Sequence, residues 1–341
     1  MEGLHLSSVR LDVVFDSDLG FPFEVANDLE FFLKNHAEIN TVTVTGRRSF
    51  YEDDSDSYMW IDDDLVPALS LKELVLDHEK VAPMFFDHMR PYDWSRLEVI
   101  NISTGGPEFF ENLNPELFPN LRVLLTVGYA MRSHFHASIA TFDSLQASFI
   151  AGLPKIEMLQ ILVGSPPAYT NALALKGDSL WSLDMKKLYT CGCIHAPAYF
   201  QVQDLELLST KLVRLTDLTI ATVPTDDGSK YSAWFQQLGR FRNLRRLLLS
   251  GDPDLIATLN ATDQLPTTNA LIGPYVRQLR HHLIQNKQGI PLELLLYEHY
   301  DEDLSGRIHR RVPERISGFP KKWKHRHPTP VLPWTRVPPS E

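Results

Sequence analysis

The chain has 341 residues, 43% of them hydrophobic and 10% aromatic, with a formal net charge of −10. That length suits two or three ordinary domains or one long repeat array. Two cysteines, Cys191 and Cys193, stand one residue apart, which excludes a disulfide framework and fits a reducing compartment. The N-terminus has no basic start followed by an apolar segment, and no uncharged run reaches the ~20 residues that span a bilayer. The expectation is a cytoplasmic or nuclear protein with no membrane contact. The charge is uneven: from Ser305 onward nine Lys/Arg face two Asp/Glu, so the preceding body carries −17. An acidic body repels nucleic acid backbones and leaves the basic tail as the one segment suited to such contact.

Taken in order, the chain repeats a six-residue pattern, apolar-x-x-apolar-x-apolar. It occurs at Leu6-Val9-Leu11, Ile39-Val42-Val44, Leu71-Leu74-Leu76, Leu97-Ile100-Ile102 and Leu121-Leu124-Thr126. It continues at Ile156-Leu159-Ile161, Met185-Leu188-Thr190, Leu215-Leu218-Ile220, Leu244-Leu247-Leu249 and Leu292-Leu295-Tyr297. Each copy ends in alternation, which a strand requires. Helical spacing precedes several copies, at Val25–Leu33, Ser232–Leu238 and Val276–Ile284. Polar turns such as Phe118-Pro-Asn and Phe241-Arg-Asn join helix to strand. Strand, turn and helix recurring at this period predict an α/β solenoid of about ten irregular repeats. Its curved parallel sheet is backed by helices, and no unit buries its apolar face alone. The array occupies residues 1–300, with an acidic insertion at 48–66 and a linker insertion at 252–273. A basic, Pro-rich tail fills 301–341, and its terminal Pro-rich residues are not expected to form regular structure.

The segments Phe118-Pro-Asn-Leu-Arg-Val-Leu124 and Phe241-Arg-Asn-Leu-Arg-Arg-Leu247 resemble leucine-rich repeats. The long, irregular spacing is similar to the ribonuclease-inhibitor-like and F-box-associated kinds. The family's Asn/Cys position, three beyond the last core residue, is matched by Cys193. The resemblance implies a non-enzymatic scaffold for protein partners, of the sort that recognises substrates for F-box-type ubiquitin ligases. No F-box is recognisable: the first repeat starts almost at Met1, so an adaptor role requires a box outside this chain.

The insertion 51–64 carries seven acidic residues and reads as a solvated loop, with an acidic docking loop bearing Ser55 and Ser57 as the functional alternative. In the tail, Pro320–Pro328 clusters Lys321, Lys322, Lys324 and Arg326, the composition of a nuclear-import or nucleic-acid segment. His134, His136, Cys191, Cys193 and His195 are the residues of the alternative reading, a loop-borne hydrolase or metal-binding protein. They lack paired C-x2-4-C spacing, and no phosphate loop or nucleophile elbow is present. No cofactor is expected.

Strand geometry supplies the candidate site. Side chains alternate faces. If the fourth and sixth positions of each copy point into the core, the third, fifth and seventh line the concave face. Its flanks are polar, with Thr41, Thr43 and Thr45 on one side and Asp217, Thr219, Arg246 and Ser250 on the other. Its centre is largely apolar: Val99, Asn101, Val123, Leu125, Val127, Met158, Gln160, Leu162, Lys187 and Tyr189. An apolar patch rimmed by polar groups marks a contact surface for a protein partner.

Overall fold

The computed structural model describes residues 7–15, 38–48, 71–77, 93–102, 110–126 except 112, 139–187, 199–221, 228–250 and 283–302 except 284 and 299, with two strand pieces at 308–310 and 314–315. Ten strands follow one another along the chain: β1 (Ser8–Phe15), β2 (Thr41–Arg48), β3 (Glu73–Asp77), β4 (Val99–Ile102), β5 (Val123–Thr126), β6 (Met158–Val163), β7 (Ser182–Lys187), β8 (Asp217–Ala221), β9 (Arg246–Ser250) and β10 (Leu294–Glu298). Each pairs in parallel with the next, so sheet order is chain order. Parallel neighbours cannot be joined by a hairpin; the chain must cross back between them, and helices do this where they are described. These are α1 (Ile139–Gly152), α2 (Thr170–Ala174), α3 (Val202–Lys211) and α4 (Gly228–Gly239). Successive helices pack on one another, forming one layer behind the sheet. Among the described residues no helix is long and apolar enough to cross a membrane.

The register explains the core. Val42, Leu74, Ile100, Leu124, Leu159, Leu183, Leu218 and Leu247 lie at paired positions across eight strands, and all are buried. Two residues on, Val44, Leu76, Ile102, Ile161, Met185, Ile220 and Leu249 form a second buried row. The helices add Phe142, Phe149 and Ile150 from α1, Leu205 and Leu208 from α3, and Trp234, Phe235 and Leu238 from α4. Fully burying one such side chain stabilises by about 1.5–3 kcal/mol. In α4 the expected helix over Ser232–Leu238 is present; Val25–Leu33 and most of Val276–Ile284 lie outside the described residues.

Ties between units recur at one place. In three units the residue just before the pattern reaches a carbonyl of the preceding turn: Asn120 Nδ2 donates to the Ser95 carbonyl at 2.6 Å, Asn243 Nδ2 to Val213 at 2.5 Å, and an Arg214 guanidinium nitrogen to Asp178 at 3.3 Å. The second residue of each pattern contributes a carbonyl that accepts two amides from the next unit, as Glu98 does from Arg122 and Val123. Side chains at that second position form an edge ladder of charge that includes Lys72–Glu98 at 3.9 Å, Arg122–Glu157 at 3.9 Å and Arg245–Glu293 at 3.3 Å.

One expectation is corrected. The seventh strand does not follow Met185-Leu188-Thr190. Met158 pairs with Ser182, Leu159 with Leu183 and Ile161 with Met185, so the true copy is Leu180-Leu183-Met185. Both frames satisfy the apolar spacing; the strand pairing selects the earlier one, whose Leu180, Leu183 and Met185 are all buried. Cys193 therefore loses its place at the Asn/Cys position, and it lies outside the described residues. The start of the tail holds short strands. Strand β11 (Tyr300–Glu302) pairs with β12 (Ile308–Arg310), and β13 (Glu314–Arg315) pairs antiparallel with β10, covering part of an edge that would otherwise offer unpaired amides. The rest of the tail and the insertions at 49–66 and 252–273 lie outside the described residues.

Candidate binding face of the sheet

With the even rows committed to the core, the odd rows form the opposite face. One row runs Thr41, Glu73, Val99, Val123, Met158, Ser182, Asp217, Arg246 across β2 to β9. The next runs Thr43, Val75, Asn101, Leu125, Gln160, Asp184, Thr219, Leu248. Every member is half-buried except Leu125, which is 3% exposed. The flanks hold their charge in local pairs. Arg246 Nε contacts Asp217 Oδ1, and the Thr216 hydroxyl donates to Asp217 Oδ2 at 2.6 Å. On the other side the Thr41 hydroxyl donates to Glu73 at 3.4 Å.

Six of the ten expected contact residues thus lie together: Val99, Asn101, Val123, Met158, Gln160 and Leu162, half-buried on adjacent strands β4 to β6. Strands stand ~4.8 Å apart, so Val99, Val123 and Met158 form a continuous apolar row ~10 Å wide. Leu125 belongs to the same face but is closed off between Asn101 and Gln160, which pair with it from either side. It is a packing residue, not an open contact. The register correction moves Lys187 to the end of β7, paired with Val163, and Ser182 and Asp184 occupy the face positions expected of this strand. Val127 and Tyr189 lie outside the described residues, as do His134, His136, Cys191 and His195. Among the described residues no group of His, Cys, Asp and Glu is placed to hold a metal ion.

Sequence reasoning missed a buried polar cluster at the carboxyl ends of β5 and β6. Asp143 and Gln146 on α1 and Tyr169 in the turn before α2 are each at most 1% exposed. Asp143 accepts the Gly164 amide at 3.0 Å and the Ser165 amide at 2.7 Å, pinning the turn that leaves β6. The Tyr169 hydroxyl lies 2.8 Å from Asp143 Oδ1 and 2.7 Å from Gln146 Oε1. Gln146 Nε2 reaches the Thr126 hydroxyl at 3.4 Å. Burial raises the Asp143 carboxyl above its ordinary range against the pull of its donors, and burial together with the Asp143 charge lifts Tyr169 well above 10. Every member is sealed from solvent and bonded, so the cluster fixes a turn and offers no reacting group. Its residues carried no signal in the pattern, because each reads alone as an ordinary helix or turn residue.

The fold and face define a class: one sheet of sequence-ordered parallel strands with a helix layer on one side and an open, centrally apolar surface on the other. Neither a family model nor a curated protein matches the chain. Among solved structures, the crystal structure of a Bacteroides fragilis protein, a structural genomics target, aligns over 84% of this chain and 68% of its own, at 12% identity and a TM-score of 0.37. Similarity at that level bears on neither fold nor activity.

Proposed function

We propose that the chain is a leucine-rich-repeat-type solenoid that acts as a non-enzymatic scaffold, binding a protein partner on the concave face of its sheet. The unbroken strand order, the single helix layer and the ties between units support the solenoid reading. The observation that carries the function is the apolar centre at Val99, Val123, Met158 and Leu162, set between polar flanks in which Arg246 pairs with Asp217 and Thr41 bonds Glu73. A few hundred Å2 of such surface contributes several kcal/mol to association at ~25 cal/mol per Å2, before ordering costs. Recognition of substrates for an F-box-type ubiquitin ligase is the specific form that the sequence resemblance suggests. The reading calls for no cofactor.

The test is Val99→Lys combined with Met158→Lys, both half-buried on the open face, in a crosslinked pull-down from cells that express the protein. The double variant should keep its cooperative unfolding transition and lose the discrete partners captured by the parent chain. A folded variant that keeps every captured partner removes the face as the binding site.

A further inference from the structure

We propose that an arginine-lined groove along the amino-terminal edge of β8 to β10 binds a short acidic peptide segment of a protein partner. This surface is separate from the open sheet face and does not depend on its role. In a chain of net charge −10, the segment Arg240-Phe-Arg-Asn-Leu-Arg-Arg246 holds four arginines in seven residues. Phe241 and Leu244 are buried, at 2% and 0% exposure, and anchor the turn between α4 and β9. Beside those anchors Arg242 and Arg245 are left exposed. Arg214 occupies the equivalent turn one unit earlier.

Two grooves of about 400 and 640 Å3 open here and share Asn243 as a common wall. Trp181, Arg214 and Arg245 line the first; Arg240 and Arg242 line the second. The wall is fixed, because Asn243 Nδ2 bonds the Val213 carbonyl at 2.5 Å. The arginines are loosely engaged. Arg240 meets Glu206 at 3.5 Å, Arg245 meets Glu293 at 3.3 Å, and Arg214 meets the Asp178 carbonyl at 3.3 Å. Such exposed pairs are weak and exchange readily for a better-placed carboxylate. Arg242 meets no carboxylate among the described residues. Guanidinium forks match carboxylates in two-point hydrogen bonding, and Trp beside Arg is the pairing that carries most energy in protein interfaces.

The occupant's size and class follow. From β7 to β10 the edge spans ~14 Å, room for four or five extended residues. Two or three carboxylates with one apolar side chain over Trp181 would fill it. A long polyanion such as nucleic acid would instead have to lie against a body of net charge −17, which disfavours it.

The experiment measures fluorescence anisotropy of a labelled hexapeptide, Glu-Glu-Asp-Leu-Glu-Asp, with its Gln/Asn counterpart and a single-stranded oligonucleotide of equal charge as comparison probes. The full chain is tested beside R242E/R245E, R242A and R122E, the last a control on the same edge at β5. Peptide affinity should fall about tenfold or more in R242E/R245E, about threefold in R242A, and less than about twofold in R122E. The Gln/Asn peptide should bind about tenfold more weakly than the acidic one, and the oligonucleotide no more tightly. Arg242 is exposed, so R242A leaves the core intact and keeps the test valid if the double variant misfolds. The proposal is overturned by equal losses in R122E and R242A, by equal binding of the Gln/Asn peptide, or by tighter binding of the oligonucleotide. Absence of saturable binding overturns it too, as does unchanged affinity in R242E/R245E, the outcome expected if the basic C-terminal segment captured the probe.

Discussion

The Tyr169 hydroxyl, with one proton to donate, lies within hydrogen-bonding distance of two buried acceptors, Asp143 Oδ1 and Gln146 Oε1. A buried acceptor left without a donor costs about 1–3 kcal/mol, more when it is charged. Tyr169→Phe removes the donor while keeping the ring, and should destabilise the protein by about that amount in urea denaturation; a loss below about 0.5 kcal/mol would show that the bonds do not contribute. At this scale the sequence was only partly legible. Parity alone placed Val99, Val123 and Met158 on the open face. Parity also placed Leu125 there, but exposure depends on what neighbours cover, and Leu125 is closed off beside Asn101 and Gln160. Asp143 and Gln146 looked like helix surface because their partners, the amides of Gly164 and Ser165 and the ring of Tyr169, arrive from about twenty residues away in sequence.

Elements are joined by cations as well as by strand pairing. Lys176 donates to the Ala151 and Leu153 carbonyls at the end of α1. Lys287 does the same for the turn after α4, donating to Phe241 at 2.8 Å, Arg242 at 3.3 Å and Gln288 at 2.7 Å. Lys176 thus caps carbonyls at the end of a helix, and Lys287 ties the turn that follows one to the segment before β10. Burial lowers both pKa values, and that of Lys287 falls from 10.5 to about 8. Between those two pH values the unfolded chain holds a proton that the folded chain has released. Raising the pH therefore favours the folded state, and stability linked to Lys287 should rise across the window from about 8 to 10.5. Unfolding free energies measured over that range should rise more in the parent than in Lys287→Met, where Lys176 still contributes; parallel profiles would contradict it. Element order was legible because strand rows and turn asparagines such as Asn120 and Asn243 repeat. The frame of β7 was not, because Met185 serves as the last residue of one copy and the first of another. The turn Lys176-Gly-Asp-Ser179 was the available signal: it sets the start at Leu180, and Gly177 there leaves no room for a Cβ against the Lys211 carbonyl.

Across the whole molecule one division matters: even positions of each strand hold the units together, and odd positions face outward. Both proposed contacts derive from it, the open face directly and the arginine edge through the turns that the buried rows anchor. The division is tested most directly by two neighbours in β6, Leu159 and Met158, compared as Leu159→Lys and Met158→Lys in urea denaturation. Leu159 is fully buried and Met158 half-buried on the opposite face. Leu159→Lys should abolish the cooperative transition or lower stability by about 3 kcal/mol or more, while Met158→Lys should stay within about 1 kcal/mol of the parent. Equal losses, or a larger loss at Met158, would contradict the assignment of faces on which the binding surface rests.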